Sequence, residues 1–456
     1  MTVENGPVHD TTQELIERSG QYTLYEWGTQ SAMRPVAVER AEGIYFWDTA
    51  GKRYMDFNSQ LMSVNIGHGD RRVMDAVYRQ MQQVCYVAPT AFITEARAEA
   101  GRLIAEVTPP NLVKSFFTNA GAEANENAIK IARAYTGRHK IMARYRSYHG
   151  ATAGAISLTG DPRRWSAEPG IPGVVRMPDF YPYRAGYEPD DPAYTALILS
   201  MTEDIIMYEG QHTIAAMIVE PVVGTNGLLI PSAGYIRGLR DLCTKYGIVF
   251  IADEVMSGFG RTGKWFAVDH WSVQPDIMTL AKGLTSSYIP LGATVVSGEI
   301  AEYFHDRPLY IGLTYNSHSV GCAAAVACIN IYQEDQLVEN AATLGGVLRT
   351  ELLRLKARHP SIGDVRAIGL FSLVELVKNR QTREPLAPFN AKPDEMAVMN
   401  KLNAFFRANG LFTFVRWNTF FINPPLCITE AQLREGLEII DRGLEIVDAA
   451  VEDETR

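Results

Sequence analysis

The amino-acid sequence predicts an α/β protein, with a mostly parallel sheet in a large domain and a smaller α+β domain beside it. Two segments, 247–255 and 276–281, are apolar along their whole length, as parallel strands covered on both faces are. Upstream, the strand-like run TIAAMIVEP is followed by a helical pattern that Gly247 closes. Strand, helix and strand in this order predict a right-handed βαβ unit, from which parallel sheets are built.

Each of the two apolar segments leads to a residue that can do chemistry. Asp253 lies at the end of the first, and the second runs into Lys282, with the glycine-rich run GFGRTG between them. Each residue alone has an ordinary interpretation, a turn-forming aspartate or a solvated lysine. Ligands of open parallel sheets bind beyond the carboxyl ends of the strands, so both side chains are expected in one crevice. This pair suits pyridoxal phosphate (PLP), which needs a lysine for its Schiff base and an acid to keep its pyridine nitrogen protonated.

Three motifs around these residues carry a family resemblance. EPVVGTNG at 220–227, IADEVMSGFGRTG at 251–263 and TLAKGLTSSYIPLGA at 279–293 resemble the class III (omega) aminotransferases of PLP fold type I. Similar motifs extend over about residues 27–426, and within the family the chain looks most like the taurine–pyruvate aminotransferase branch. The resemblance strengthens the inference from the two strand ends, because the motifs match the family in their spacing as well as in their residue types.

The resemblance also implies a domain arrangement and an assembly. A large PLP-binding domain is expected over residues 71–330, and a small α+β domain is expected from both chain ends, 1–70 and 331–456. Members of the family place their active sites at a subunit interface, so we expect a homodimer, with a tetramer as the alternative. In that arrangement Thr314 resembles the threonine that completes the phosphate site of the neighbouring subunit.

Composition and charge narrow the class of protein. The chain has 456 residues, of which 46% are hydrophobic and 21% charged, as in ordinary globular proteins large enough for two domains. The net charge of -9 and the lack of a basic run argue against nucleic acid or an anionic membrane as a partner. The first residues have neither the basic nor the apolar region of a signal peptide, so a cytoplasmic location is expected.

The cysteines are scattered and form no C-x-x-C pair. We therefore expect free thiols in a reducing compartment, and neither a disulfide framework nor a metal site. The residues are Cys85, Cys243, Cys322, Cys328 and Cys427.

A phosphate site is expected at the start of a helix. A strand pattern over 114–117 leads through a turn of small residues into a helical pattern over 122–136. The first turn of such a helix presents free backbone N–H groups and the positive end of the helix dipole, which together attract anions. Paired with Lys282, this turn is expected to bind the phosphate of PLP through the N–H groups of Gly121 and Ala122.

The resemblance assigns further residues to the cofactor. Tyr148 is expected to stack on the pyridine ring, where an aromatic face holds the cofactor plane. Glu220, which ends a strand, and Val255 are expected beside the cofactor. His149 follows Tyr148 directly, and we interpret it as mostly structural, with a hydrogen bond to backbone.

The substrate pocket is the part of the site that the sequence determines least. On pattern alone, its aromatic and aliphatic residues could equally be ordinary core. Arg416 could be a solvated arginine whose stem lies on apolar surface, or could hold a substrate carboxylate with two parallel hydrogen bonds. The resemblance assigns to the pocket Trp27, Leu61, Met62, Tyr86, Val87, Tyr148, Thr225 and Arg416.

The activity that the resemblance implies is amino transfer in two half-reactions, with Lys282 as the covalent anchor and proton carrier and Asp253 as the acid at the ring nitrogen. The expected donor is an amine, an ω-amino acid or an aminosulfonate, and the expected acceptor is a keto acid, pyruvate above all. The alternatives are PLP-dependent aminomutase, epimerase or decarboxylase chemistry on the same scaffold. A catalytically idle PLP-fold binding protein is the non-enzymatic alternative.

Three stretches carry little functional information. Residues 1–20 are polar and predicted to be frayed or weakly helical, and the acidic tail from Val451 is predicted to be disordered. Residues 161–191 are rich in Pro, Gly and Tyr, and we expect an ordered excursion near the rim of the active site.

Overall fold

The structure is a computed structural model that describes residues 11–451. Its helices are α1 (Thr12–Tyr22), α2 (Ser59–Met62), α3 (Arg71–Gln83), α4 (Glu95–Val107), α5 (Gly121–Thr136), α6 (Ala153–Leu158), α7 (Pro182–Ala185), α8 (Pro192–Glu209), α9 (Ala233–Tyr246), α10 (Gly298–Tyr303), α11 (Ser319–Glu334), α12 (Leu337–Arg358), α13 (Ala397–Ala408) and α14 (Glu430–Asp448). Its strands are β1 (Val38–Glu42), β2 (Tyr45–Asp48), β3 (Arg53–Asp56), β4 (Leu112–Thr118), β5 (Lys140–Arg144), β6 (Val174–Met177), β7 (Ile214–Val219), β8 (Val249–Asp253), β9 (Ile277–Leu280), β10 (Gly292–Ser297), β11 (Ile362–Ile368), β12 (Phe371–Asn379), β13 (Glu384–Pro385), β14 (Leu411–Phe412), β15 (Val415–Arg416) and β16 (Thr419–Ile422).

A seven-stranded sheet forms the centre of the protein, in the order β4-β10-β9-β8-β7-β5-β6. The pairs from β9 to β6 are parallel, and β10 is antiparallel to both of its neighbours. The two strands that organised the sequence prediction, β8 and β9, lie side by side in its middle and are buried along their length. The predicted α/β class and mostly parallel sheet are confirmed.

Both faces of this sheet are covered, which explains why its strands are uniformly apolar. In β8, Ile251 packs in a cluster with Ile129 of α5. The side chain of the neighbouring residue in the strand, Phe250, packs in a separate hydrophobic cluster with Leu239 of α9. Successive residues of a strand point to opposite faces, so a strand with a helix on each side needs apolar residues at every position.

The two ends of the chain meet in a second sheet. It has four strands in the order β1-β2-β3-β14, and β14 pairs in parallel with β3, with Leu411 opposite Met55. A third sheet, β11-β12-β16-β15 with β13 added to β12, is built from the C-terminal part alone. The pairing of β3 with β14 accords with the expected small domain from both chain ends, whose exact boundaries stay a prediction.

A buried arginine fastens the loop after β8 to both chain ends. Arg261, in the GFGRTG run, donates from Nη1 to the carbonyl oxygens of Leu370 (3.0 Å) and Pro424 (2.6 Å). Its Nη2 donates to Ser59 Oγ and Asn65 Oδ1, each at 2.9 Å. The loop that follows β8 is therefore held in place from the N-terminal and the C-terminal segments at once.

The excursion over 161–191 is more regular than expected. It contributes β6, the edge strand of the large sheet, as well as α7. At the N-terminus, α1 begins at Thr12, and residues 1–10 of the predicted frayed segment lie outside the described residues, as do residues 452–456 of the tail. No helix in residues 11–451 is both long enough and apolar enough to cross a membrane.

Candidate active site

A cavity of about 450 Å³ opens at the carboxyl ends of β8 and β9. Strand ends, the first turn of α5 and the loop after β5 all contribute to it, as expected for the crevice of an open parallel sheet. It brings together Lys282 and Asp253, which the sequence placed in one crevice. Other lining residues that the sequence analysis named are Leu61, Gly121, Ala122, Tyr148, His149, Glu220, Thr225 and Val255.

Lys282 lies just beyond β9, separated from it by Ala281. Its backbone has φ of 47°, in the left-handed region that residues with a Cβ rarely adopt. Burial lowers the pKa of its amine to about 8, although the carboxylates of Asp253 and Glu220 act in the opposite direction. The amine is therefore neutral in a larger fraction of molecules near neutral pH than an exposed lysine would be. A neutral amine is what a nucleophile and proton acceptor requires.

Asp253 is 3% exposed and accepts three hydrogen bonds. Its Oδ2 accepts from Asn125 Nδ2 (2.8 Å) and contacts His149 Nδ1 (2.7 Å), and its Oδ1 accepts from the Val255 backbone N–H (3.1 Å). An ionised carboxylate can only accept, so His149 donates from Nδ1. Thr279 in turn donates to Asn125 Oδ1 (2.7 Å), which fixes the amide so that its NH₂ group faces Asp253.

These contacts correct the interpretation of His149. The sequence analysis treated it as a structural residue bonded to backbone, whereas its ring contacts the carboxylate of Asp253. It also lines the cavity, and its Nε2 has no hydrogen-bond partner among the described residues. Asn125 was missed altogether. Both residues orient Asp253, since they fix which lone pairs of the carboxylate remain available.

Glu220 comes directly after β7 and holds the loop that carries Tyr148. Its Oε1 accepts from the Tyr148 backbone N–H (2.9 Å), and its Oε2 accepts from the Gly224 N–H (2.8 Å). Burial raises the pKa of Glu220, and these two hydrogen bonds oppose the shift. Glu220 therefore acts on the site through the position of Tyr148, whose side chain lines the cavity.

The first turn of α5 forms an anion cradle. Its N-cap, Ala120, has no side chain that could bond the first N–H groups, so those groups remain free for a ligand. A Cβ at Gly121 would lie 2.9 Å from both methyl groups of Val255, so only glycine allows this close approach. Gly121 and Ala122 both line the cavity. An amine, an acid, an aromatic side chain and a phosphate cradle around one cavity are the donor set that PLP requires.

An arginine that the sequence analysis did not single out lies near this cavity. The guanidinium of Arg163 lies 3.7 Å from the centre of the Tyr148 ring and 5.3 Å from that of Trp27. Its Nη2 donates to Thr225 Oγ1 (3.0 Å), and its Nε donates to Asp161 Oδ2 (2.9 Å). Thr225 lines the cavity, so a cation lies directly beside the lining.

Arg416 lies farther from the reacting groups than its expected role requires. Its Nη2 donates to Asp161 Oδ2 (3.1 Å), and its guanidinium lies 4.2 Å from the centre of the Trp417 ring. It does not line the cavity, and burial lowers its pKa to about 10. Asp161 thus binds Arg416 and Arg163 together, and a carboxylate clamp by Arg416 stays a prediction.

The other expected pocket residues divide into two groups. Leu61 lines the cavity, but Met62 does not: it is 2% exposed and packs in the core, because the backbone turns sharply at Gln60 (φ 56°). Tyr86 does not line the cavity of its own chain, and its hydroxyl donates to the Thr314 carbonyl oxygen (2.6 Å). Val87 and the exposed Thr314 also lie outside this lining.

Comparison with known proteins identifies the family. The model of a family described as aminotransferase class-III matches residues 28–444. The taurine–pyruvate aminotransferase of Bilophila wadsworthia is 34% identical over 462 aligned residues, covering 95% of this chain and 98% of that protein. The putrescine–pyruvate aminotransferase of Pseudomonas aeruginosa is also 34% identical, over 427 residues and 91% of each chain.

A solved structure gives the same result. The taurine:2-oxoglutarate aminotransferase from Bifidobacterium kashiwanohense, determined in complex with PLP and glutamate, superposes with a TM-score of 0.93 at 41% identity. The match covers 96% of this chain and 98% of that one. Together with the cavity that joins Lys282, Asp253 and the α5 cradle, these matches show that the chain belongs to the class III aminotransferases, PLP-dependent enzymes of fold type I.

Proposed function

We propose that this aminotransferase takes its amino group from a small amine with an anionic end, an ω-amino acid or an aminosulfonate, and transfers it to pyruvate to give alanine. The observation that carries the proposal is the position of Arg163, whose guanidinium contacts Tyr148 and Thr225 beside the cavity that contains Lys282. Asp161 pairs with both Arg163 and Arg416, so its single negative charge neutralises only one of the two guanidinium groups. The positive charge that remains attracts a carboxylate or a sulfonate.

The residues that would hold PLP are Lys282, Asp253, Tyr148 and the N–H groups of Gly121 and Ala122. When bound, PLP supplies the electron sink for the bond that breaks at the substrate carbon. The negative charge of Asp253 would remain available to the cofactor, because its hydrogen-bond donors are an amide, an imidazole and a backbone N–H, and not a guanidinium or an ammonium group. Tyr148 offers an aromatic face whose position Glu220 fixes.

Lys282 is the proposed proton carrier in both half-reactions. Its pKa of about 8 lies near physiological pH, which suits a group that must both accept and return a proton. The surrounding protein supports this role, because burial disfavours the charged amine. Donor and acceptor then use the same cavity in turn, as in a ping-pong cycle.

The names of the relatives support the choice of substrates. Two of the similar enzymes are named for taurine and one for putrescine. Two are named for pyruvate as the acceptor and one for 2-oxoglutarate. We choose the anionic donor over the diamine because Arg163 would repel a second ammonium group and attract a carboxylate or sulfonate.

A donor panel tests the proposal. The PLP-loaded enzyme is assayed with pyruvate and each of taurine, β-alanine and the neutral-tailed 1-phenylethylamine, and alanine formation is measured. We expect taurine and β-alanine to be preferred, and Arg163→Leu to lower their kcat/KM by roughly ten- to a hundredfold, the value of one charge-assisted pair. The rate with 1-phenylethylamine should change little, because that donor has no anion for Arg163 to bind.

Two controls accompany the panel. Arg164→Leu removes the neighbouring arginine, which pairs with Glu168 and does not line the cavity, and should leave the preference unchanged. Lys282→Ala should abolish turnover with every donor, whereas Lys264→Ala, an exposed lysine, should not. An equal loss for charged and neutral donors in Arg163→Leu would contradict the anionic-donor proposal. A decarboxylated or epimerised product without alanine would contradict amino transfer.

We further propose that the working enzyme is a homodimer in which Thr314 serves the phosphate site of the partner subunit. Thr314 is exposed in the single chain and lies outside its own cavity. Large apolar side chains are exposed in the segment that contains it, 309–315, and in the segment 86–93, whose Tyr86 bonds the Thr314 carbonyl oxygen. Exposed apolar surfaces of this kind mark interfaces. These side chains are Tyr86, Phe92, Ile93, Leu309, Tyr310 and Tyr315.

The shared site predicts that PLP affinity depends on Thr314 and on assembly. Thr314→Ala should raise the PLP dissociation constant roughly five- to a hundredfold, since one hydrogen bond to an anion is lost while the α5 cradle remains. Light scattering and PLP titration on one dilution series measure both properties, with Thr350→Ala on the exposed face of α12 as control. A monomer that binds PLP as tightly as the parent enzyme would rule out the shared site.

A further inference from the structure

A second cavity, of about 210 Å³, lies on the other side of Thr225 from the active-site cavity. Thr225 lines both cavities, but none of the cofactor residues lines the second one. Its other walls come from the loop after β5, from the excursion over 161–191, from the segment after β7 and from the C-terminal part of the chain. Those that carry the argument are Arg146, Tyr181, Asn226, Glu375, Phe389 and Trp417.

Asn226 has an unsatisfied side chain in this cavity. It is 1% exposed, and neither its Nδ2 nor its Oδ1 has a hydrogen-bond partner among the described residues. A buried polar group left without a partner costs on the order of 1–3 kcal/mol, and the large majority of such groups in folded proteins are satisfied. The Nδ2 group therefore indicates an occupant that offers an acceptor, whereas Oδ1 needs a donor such as a water molecule.

Arg146 supplies a positive charge, and its guanidinium forms no ion pair with an acid among residues 11–451. Its guanidinium lies 4.9 Å from the centre of the Tyr181 ring and 5.3 Å from that of Phe389. Its Nη1 donates to the Asn226 carbonyl oxygen (3.2 Å). Within residues 11–451 no carboxylate forms an ion pair with its side chain, and the nearby Asp179 accepts from its backbone N–H instead.

The one acid that lines the cavity is already satisfied. Glu375 accepts from Arg184, from Arg366 and from the Tyr181 hydroxyl. Arg366 also pairs with Asp364, so these two acids and two arginines balance one another in charge. The charge of Arg146 is the surplus at this cavity, and it favours an anion.

We propose that this cavity is a second binding site, for the carboxylate of a small organic monoacid. The free N–H groups of Arg146 and the side-chain NH₂ group of Asn226 would donate to the carboxylate, and a water would donate to Asn226 Oδ1. The tilted rings of Phe389 and Trp417, 4.5 Å apart, would pack on a short apolar stem. The volume equals that of about seven waters, enough for an acid with a few carbon atoms. The inference does not depend on the identity of the amine donor.

Propionate is a suitable probe, because it has neither an amine nor a keto group and so cannot take part in amino transfer. Its binding to the PLP-loaded Arg163→Leu enzyme is followed by calorimetry, since that background lacks the cation of the active-site cavity. We expect one saturable site per chain. Asn226→Asp, which is nearly isosteric and places a like charge beside the ligand, should weaken propionate binding at least about tenfold.

Asn111→Asp is the matched control. Asn111 also has an unpartnered side-chain oxygen, but it lies far from this cavity at the Pro275 carbonyl, so the same added charge should leave propionate binding unchanged. Arg146→Gln should weaken binding to the same extent as Asn226→Asp, provided that its thermal midpoint shows it to be folded. The absence of saturable binding would show that water alone fills the cavity, and equal affinity in Asn226→Asp and Asn111→Asp would show that propionate binds elsewhere. Either result would overturn the proposal.

Discussion

Two buried carboxylates, Asp253 and Glu375, show how differently one protein can use the same chemical group. Both are almost inaccessible, at 3% and 1% exposure. Asp253 is held by the Asn125 amide, the His149 ring and a backbone N–H. Glu375 is held by the guanidinium groups of Arg184 and Arg366 and by the Tyr181 hydroxyl. The difference lies in the charge of the partners.

The partners decide where the negative charge acts. Burial would raise the pKa of Glu375, but Arg366 and Arg184 more than offset this and lower it to about 2. That charge is neutralised locally and stabilises the fold. Around Asp253 the hydrogen-bond donors fix the geometry without a guanidinium or ammonium in direct contact, so its charge can act on the cavity, where Lys282 lies. Glu375 stabilises the fold, and Asp253 lines the cavity that contains Lys282.

The largest effect that tests this contrast is expected from Asp253→Asn. The amide keeps the shape but removes the charge, so the PLP-loaded variant should remain folded while its first half-reaction slows by about 100- to 1000-fold. Single-turnover absorbance changes after addition of the amine donor measure that rate. Glu254→Gln is the control, because it removes the next carboxylate along the chain, one that does not line the cavity. Equal rates in Asp253→Asn and Glu254→Gln would contradict a catalytic charge on Asp253.

Glu375→Gln should act on stability and leave chemistry largely intact. Removing one partner from a buried ion pair leaves two guanidinium groups undercompensated, so the free energy of unfolding should fall by about 3 kcal/mol at pH 7. Because the folded pKa is lowered to about 2, the contribution of Glu375 is complete above pH 4.5 and disappears as the pH falls toward 2.

Denaturant titrations at pH 7 and pH 3 check this expectation. The gap between parent and Glu375→Gln should be wide at pH 7 and narrower at pH 3. The half-reaction rate of the folded variant should stay within a few fold of the parent rate. A gap that is the same at both pH values would contradict the assignment, because it would mean that the charge of Glu375 contributes nothing.

The smallest expected effect concerns Glu254, a third buried carboxylate, which has no cation beside it. Burial raises its pKa to about 7, with hydrogen bonds from Ser257 and the Val268 N–H acting in the opposite direction. The folded state thus binds a proton that the unfolded state has lost, and stability falls as the pH rises from 4.5 to 7. Glu254→Gln should raise the free energy of unfolding by about 1–2 kcal/mol at pH 8.

At pH 4 the same substitution should have little effect, because Glu254 is protonated in both states there. Thermal unfolding of the two proteins at pH 4 and pH 8 measures the difference. A variant that is less stable than the parent at pH 8 would show that the ionised form of Glu254 is favoured in the fold, contrary to the raised pKa.

The sequence alone was enough to place together the residues of the site that lie at the ends of the sheet strands. Asp253 and Lys282 could be placed together because parallel strands bring their carboxyl ends to one edge, whatever the loops do. The Gly121 cradle followed for a similar reason, since a helix start after a strand exposes N–H groups. Such inferences need only the direction of the elements, which hydrophobic patterns supply.

The parts that failed depend on distances between side chains. Asn125 lies within α5 and His149 beyond β5, and nothing in their spacing shows that both reach Asp253. Arg163 lies in the excursion over 161–191, whose irregular composition gives no periodicity to follow. Met62 was placed in the pocket beside Leu61, but a turn at Gln60 directs the two side chains differently. Local backbone turns of this kind leave no pattern in hydrophobicity.

The pairing of β3 with β14 also means that β3 is synthesised long before the strand with which it pairs. Met55 and its strand partner Leu411 are 356 residues apart in the chain, so Met55 is made well before Leu411. At about 5–20 residues per second, β3 waits roughly 20–70 s for that partner. During this interval the edge of β3 has no β14 to pair with, and such edges invite pairing with other chains. Until β14 has been made, this edge of β3 can be covered only by the rest of the nascent chain or by a chaperone.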